Sequence, residues 1–539
     1  MQRPVRESVA ARSASAGRAI PLFLGASLCL LAPFGAAQTS ANQPLLDLSI
    51  PHPSVTAGSP QAGATFGWSM AMADIDGSSG DELVVASIDE DVPISGTTYN
   101  NLGAAYAYSG TTLSPWASYF PSPGETGVEA GRLFMSIGVV RTGAQPWTFV
   151  GGIGRDVSYA CSPTIPVTDA GEIAAVNFNN GAVGYTYPPS EPSGSCAPVV
   201  RNFGHSSAVG DINGDGTDDL VVGEPGNNSI GGRVYVFYGG STFPSGWVAF
   251  SRSGAGFDGF GTSVAVVDLD GDANHVDDAI IVGANERFIS SPNPGHAYAF
   301  RTSDIAALST SVVHALGSSS YQTISEPSGS DGNWFGWVVF EVGDIGGPSG
   351  ALDGFEDVAI HAEGTSLGST TGAGSLTVFW GKTPGTSPLS LLDSTNAAFL
   401  QVPSGYTASQ GERFGRAAAS VDWEGSNPSG IKKGLLVGSP DADVTVGSTT
   451  YQSAGRVFLF YTPVTSSSGN AWVRPLYEPD PSQTGTYVAL PRTDSRFGGW
   501  IVSGEYKSAY TGQQFIVSAR ERTEGTAAGV GRVYAFYRP

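Results

Sequence analysis

Residues 202–240, NFGHSSAVGDINGDGTDDLVVGEPGNNSIGGRVYVFYGG, decide the fold. Phe203-Gly204 opens a short strand that runs into an acidic turn, Asp211-Ile-Asn213-Gly-Asp215-Gly-Thr217-Asp-Asp219. Two apolar runs follow, at 220–223 and 234–238, bounded by Gly, Asp and Pro, as expected of short strands buried on both faces. The turn carries side-chain oxygens at its first, third and fifth positions and a carboxylate at its end. A hard cation such as Ca²⁺ takes about six to eight oxygen ligands at about 2.3–2.6 Å, and alternate side chains of a tight turn can converge to supply them. Asp211, Asn213 and Asp215, with the Thr217 carbonyl and Asp219, form the expected ligand set. Gly214 and Gly216 permit the backbone angles. An EF-hand differs, closing later with Glu and lying between helices. A solvated Asp/Asn/Gly turn is the bland alternative, and repetition along the chain argues against it.

Two markers repeat, and both count seven. Phe-Gly recurs at Phe66, Phe203, Phe260, Phe335, Phe414 and Phe497, with Gly131-Arg132-Leu133-Phe134 as a degenerate second member. The six steps from Phe66 to Phe497 average about 72 residues. The other marker is a glycine ahead of an aromatic third strand, at Gly103, Gly181, Gly232, Gly295, Gly374, Gly455 and Gly531. No stretch has sustained helical periodicity, and 74 Gly with 35 Pro suit a turn-rich all-β chain. A small sheet cannot bury two apolar faces alone, so neighbours must stack. Radial stacking of four-stranded sheets predicts a seven-bladed β-propeller. The last repeat ends at its third strand, three residues from Pro539, while an orphan strand-like segment, Leu45-Leu-Asp-Leu-Ser-Ile50, precedes the first Phe-Gly. That segment is expected to complete the last blade and close the ring.

The order Phe-Gly, acidic loop, LVVG and GRVYVF resembles the FG-GAP repeats of the integrin α-chain propeller, over about residues 45–539. The resemblance implies seven blades with Ca²⁺ in some of the hairpins between first and second strands. It also implies that those hairpins lie opposite the main ligand surface.

The loops decay from copy to copy. The first keeps Asp74, Asp76, Ser78, Gly80 and Glu82; the fourth keeps Asp268, Asp270 and Asp272 and closes, after an insertion, at Asp278. Both are expected to bind Ca²⁺. The fifth has Asp344 and then Asp353-Gly-Phe-Glu-Asp357 but no third-position ligand. The sixth, from Asp422, reaches Lys432-Lys433 where an acid belongs, so an ammonium replaces the ion.

Residues 1–37 read as a secretory signal, with Arg3, Arg6, Arg12 and Arg18 ahead of an apolar run at 20–34 and small residues before Gln38. Residues 38–539 are then the propeller. The run is shorter than the ~20 residues of a spanning helix. Its removal leaves 22 basic and 47 acidic residues, a net charge near −25. That argues against nucleic acid and anionic membranes as partners, since no basic patch exists to release counterions. In an exported chain Cys161 and Cys196 are expected to form a disulfide.

Catalytic signatures are weak. Gly364-Thr-Ser366-Leu-Gly368 matches the nucleophile-elbow pattern, but a loop rather than a helix follows the serine. The six histidines show no paired metal spacing. Arg233, Arg456 and Arg532 recur just before the third strand, as expected of arginines that pair with acidic loops of the next blade. The expected function is an exported, monomeric, calcium-binding and non-catalytic module for an extracellular protein or glycan. Its ligand site is expected in the insertions at 303–332 and 471–496. The alternative is an extracellular polysaccharide lyase or hydrolase, favoured if Asp, Arg, His and Tyr cluster at the central opening. A purely structural surface protein is a third reading.

Overall fold

The strand-forming runs pair locally. In the computed structural model each repeat becomes an antiparallel sheet of four strands, and seven such blades stand in a ring, a β-propeller. The structure describes residues 44–538 except 79, 122–132, 143–144, 153–156, 160–164, 168–170, 187–201, 227–230, 241–242, 254–255, 257, 270–276, 287–293, 328–331, 350, 384–386, 423–432, 462–463, 465–472 and 508–511. The innermost strands are, in blade order, Phe66–Ala73, Leu133–Thr142, Ser206–Gly210, Phe260–Val267, Phe335–Glu341, Ala417–Asp422 and Phe497–Gly504. The expected signal segment, Cys161, Cys196, Asp270, Asp272, His275, Lys432 and the Asn227-Asn228-Ser229 glycosylation sequon lie outside the described residues.

Between each pair of neighbouring blades lies one apolar cluster, seven in all among the described residues. The Phe of each Phe-Gly pair is at most 1% exposed, and each such burial contributes about 1.5–3 kcal/mol. Its ring packs edge-on against the aromatic third strand of its own blade, as in Phe203–Tyr235 at 5.3 Å and Phe497–Tyr534 at 5.9 Å.

The two sequence markers turn out to be two ends of one contact. The Phe backbone bridges to the glycine that opens the third strand of the preceding blade: Phe203 to Gly171, Phe335 to Gly295, Phe497 to Gly455 and, across the seam, Phe66 to Gly531. A Cβ at Gly531 would lie 2.2 Å from the Phe66 carbonyl oxygen, and Gly531 has φ +90°. Gly531→Ala should therefore cost about 2–5 kcal/mol from combined clash and left-handed strain. Gly447→Ala, where φ is also positive but nothing lies within 4 Å, should cost about 1 kcal/mol. Equal midpoints for the two variants in thermal denaturation would contradict the contact.

Ring closure follows the sequence expectation. Leu45–Pro51 pairs antiparallel with Arg532–Tyr537 as the outer strand of the seventh blade. Leu46 and Ile50 are buried, Asp47 accepts from Tyr506 and Lys507, and the Arg532 guanidinium donates to Ser49 Oγ at 3.0 Å.

Three expectations need correction. In the second blade the segment opened by Gly181 is the fourth strand, Ala182–Thr186; the third is Glu172–Asn177, opened by Gly171. Glu172–Asn177 has no aromatic residue, so the marker skipped it. The long insertions are largely scaffold. In the first, Val313–Leu316 adds a fifth, parallel strand to the outer edge of the third blade, and Gln322–Ile324 completes the fourth. In the second, Val473–Tyr477 completes the sixth blade, and the turn beyond it meets Leu46 through Gly485 and Thr486. Finally, Arg456 pairs with Glu412 (2.6 Å), on the approach to its own blade, and Arg532 with Glu524 (2.6 Å) of its own blade. The structural role stands, but the partners differ.

Candidate metal loops and the central channel

Where a blade carries both features, its inner strand runs from Phe-Gly to the acidic turn, so the two sit at opposite ends of the channel. In the first blade Asp74 Oδ1 accepts the Gly77 N–H at 2.8 Å, and Asp76 Oδ1 accepts the Ser78 N–H at 2.7 Å. The closing Glu82 is buried. Its Oε2 takes the N–H groups of Ile75 (2.8 Å) and Asp76 (3.2 Å), while Oε1 takes that of Gly110 (2.9 Å). Asp74, Asp76 and Glu82 each present a carboxylate oxygen, all within 4.8 Å of one another. Ligands on opposite sides of one Ca²⁺ stand about 5 Å apart, so the trio fits a single ion. Ser78 lies in the same turn, and Gly80 packs its backbone against the Tyr506 carbonyl.

The third blade repeats the construction. Asp211 accepts N–H groups from Gly214 (2.8 Å), Asp215 (3.2 Å) and Gly216 (2.8 Å). Asn213 caps Asp215 and Asp215 caps Thr217, both at 2.9 Å. Asp219, fully buried, takes Ile212 N–H (3.0 Å) on one oxygen and Gly239 N–H (2.7 Å) on the other. In the fifth, Asp357 holds Ile345 and Gly381 in the same way, at 2.9 and 3.1 Å, and Asp344 accepts from Gly354. The closing acid thus pins the hairpin to the end of the third strand. Burial pushes Asp219 up to about 7 and Asp357 up to about 8, with neighbouring acids adding to it. A divalent cation is the charge that relieves such crowding.

One set of residues went unread in the sequence: the acids just before the closing position. The Asp81 N–H donates to the Glu505 carbonyl of the preceding blade at 3.0 Å, and the Glu505 N–H donates back to Asp81 Oδ2 at 2.7 Å. Asp277 likewise donates to the Asp211 carbonyl, and Glu356 accepts from the Asp268 N–H at 3.3 Å. These acids link hairpin to hairpin around the ring. In the fourth loop Asp278 anchors its own strand through an N–H bond to the Val267 carbonyl at 2.9 Å.

At the acidic end the channel is lined by small and aliphatic residues, among them Ala71, Val139, Ala208, Ala418 and Val502, around about 450 Å³. At the Phe-Gly end a cavity of about 400 Å³ is ringed by the residue that follows five of the six Phe-Gly pairs: Trp68, His205, Thr262, Trp337 and Arg416. That position was legible, since inner strands alternate, but the channel-facing register had to be known. Arg413, Arg496 and Arg520 join them. Elsewhere His361 is fully buried, with Nδ1 3.0 Å from the Ser375 carbonyl, and burial pushes it down to about 3, leaving it neutral. Thr365 and Ser366 lie in a turn with no helix after them, so no nucleophile elbow forms.

The family model of the FG-GAP repeat matches residues 203–237. The chain is thus a seven-bladed β-propeller whose third blade matches the FG-GAP repeat. Among solved structures it is similar to a rhamnogalacturonan lyase from Bacillus licheniformis, at 12% identity over 87% of this chain, with a TM-score of 0.32. The chain spans 60% of that lyase's length, and a superposition this loose transfers no chemistry. No helix among the described residues is long and apolar enough to cross a membrane.

Proposed function

We propose that this chain is an exported propeller, braced by Ca²⁺ at its hairpin tips, that binds an extracellular protein or glycan without transforming it. The observation that carries the reading is the Asp74, Asp76 and Glu82 trio, whose oxygens are already gathered to the spacing of one Ca²⁺ shell. Asp211, Asn213, Asp215 and Asp219 supply a second set, and Asp268 with Asp278 a third. The basic leader and the acidic mature charge support export, where millimolar calcium keeps weak sites filled.

The lyase or hydrolase alternative is favoured by the Arg and His residues at the Phe-Gly end of the channel. Against it, the carboxylates there are engaged by arginines: Glu363 with Arg413 at 3.4 Å and Asp441 with Arg496 at 3.1 Å. His205 Nδ1 lies 2.8 Å from the Thr262 carbonyl. General acid–base cleavage needs groups free to take and give a proton. A glycan and protein array probed with the mature chain, with and without EDTA, separates the readings. Binding that chelation abolishes supports the braced module, whereas release of shortened or unsaturated polysaccharide displaces it.

A further inference from the structure

We propose that the Phe-Gly end of the channel is a binding site for a carboxylated oligosaccharide, with Arg416 and Arg520 taking carboxylates and Trp337 and Trp500 supporting the sugar faces. The proposal rests on the binding-module reading and names its site and ligand class. The chain carries a formal charge of −22, yet this one cavity gathers four guanidinium groups. Two are neutralised. Arg413 lies 3.4 Å from both Glu363 and Asp441, and Arg496 pairs with Asp441 and Glu521.

The other two feel those acids only at longer range, Arg416 from Glu363 and Asp441, and Arg520 from Asp441 and Glu521. Arg416 and Arg520 make no side-chain hydrogen bond or ion pair with any described residue. Arg520 is 4% exposed, its Nε is buried without a hydrogen-bond partner, and its guanidinium sits 4.4 Å from the centre of the Trp68 ring. Burial, with Arg416 next to it, lowers Arg520 to about 10, and burial also lowers Arg416. A desolvated cation that no hydrogen bond or ion pair holds is destabilising. Retaining two side by side, at the wall of a 400 Å³ cavity, is what an anion site requires before its ligand arrives.

The backbone aims this cluster. The residue before each Phe-Gly adopts a left-handed conformation, and two of these positions are Arg413 (φ 59°) and Arg496 (φ 52°). Such strain in non-glycine residues is held by the surrounding structure and clusters at binding sites. The aromatic component sets the ligand class. Trp337 and Trp500 are half-buried in the same wall, and Trp500 is oriented by its Nε1–H bond to the Met70 carbonyl at 3.0 Å. Flat apolar surface beside fixed guanidinium forks matches a ring that carries carboxylates, more closely than it matches a bare inorganic anion.

The test is calorimetric titration of the mature chain in calcium-containing buffer with trimers of galacturonate, glucuronate and mannuronate, neutral galactotriose and inorganic phosphate. At least one uronate trimer should bind at least about tenfold tighter than galactotriose, and Arg416→Met and Arg520→Met should each weaken it about tenfold or more. Arg416→Met should keep or raise the thermal midpoint, because desolvation outweighs the pull of Glu363 and Asp441 on this guanidinium, so its loss of binding cannot be ascribed to unfolding. Phosphate binding tighter than every uronate trimer, or no uronate binding at all, overturns the proposal. Uronate binding that both variants retain overturns this site while leaving the binding-module reading intact; an array with no ligand for the mature chain overturns that reading instead.

Discussion

Deleting residues 38–55 should lower the thermal midpoint sharply or leave no folded product. The deletion removes the outer strand of the seventh blade, whose register runs from Leu45 opposite Tyr537 to Pro51 opposite Arg532. Leu46 is fully buried in the cluster between the sixth and seventh blades, and Ile50 is buried in the cluster that crosses the seam to the first blade. Truncating such side chains costs about 2–5 kcal/mol each, before counting the ladder bonds and the unpaired edge left on Arg532–Tyr537. The loss extends past the strand. His52 is fully buried, with Nε2 2.9 Å from Glu90, which also accepts the Tyr106 hydroxyl at 2.6 Å. The amino-terminal segment thus ties the seventh blade to the first, and an unchanged midpoint in the deleted chain would refute it as the latch. A milder version, Leu46→Ala with Ile50→Ala, should lower stability by about 4–10 kcal/mol without removing backbone.

How far the sequence can be read depends on what each signal encodes. Blade number and ring closure were legible because Phe-Gly and the third-strand glycine mark an inter-blade backbone contact that tolerates almost no side chain, as at Gly531. Leu133 shows the limit of that signal. By register it occupies the Phe position of the second blade, opposite Gly152. The third strand of that blade was misplaced because aromatic content marks packing rather than strand order, and Glu172–Asn177 packs with Ile173, Ala174 and Val176 instead.

The acidic turns were legible in their alternation, since each side chain also caps the turn that presents it, as Asp211 does for three N–H groups. The role of Asp81, Asp277 and Glu356 was not, because it depends on which hairpin lies next door. Nor was the surplus of guanidinium groups at the other end. Arg416 and Arg520 stand 104 positions apart in the chain and come together only through ring geometry.

The proposed calcium sites predict the second large effect. Removing it from the mature chain should lower stability, because an ion bound only by the folded state contributes about 2.7 kcal/mol per site when present at about a hundred times its dissociation constant. Asp76→Asn isolates the first loop. Asn can still accept the Ser78 N–H that Asp76 accepts at 2.7 Å, so the turn survives while one ligand charge is lost. In EDTA the variant should melt close to the parent chain; in calcium its gain should be smaller by roughly one site's contribution. Glu82→Gln should be worse in both conditions, since Glu82 also holds Ile75, Asp76 and Gly110.

The most direct measurement is a calorimetric titration of the EDTA-stripped mature chain with CaCl₂, followed by melting in each state. Hairpin tips that hold ions give saturable binding at two or more sites, with dissociation constants on the order of 10⁻⁴–10⁻³ M, one site fewer in Asp76→Asn, and a midpoint that rises with occupancy. Heats no larger than dilution, with identical melting in calcium and EDTA, would contradict the account.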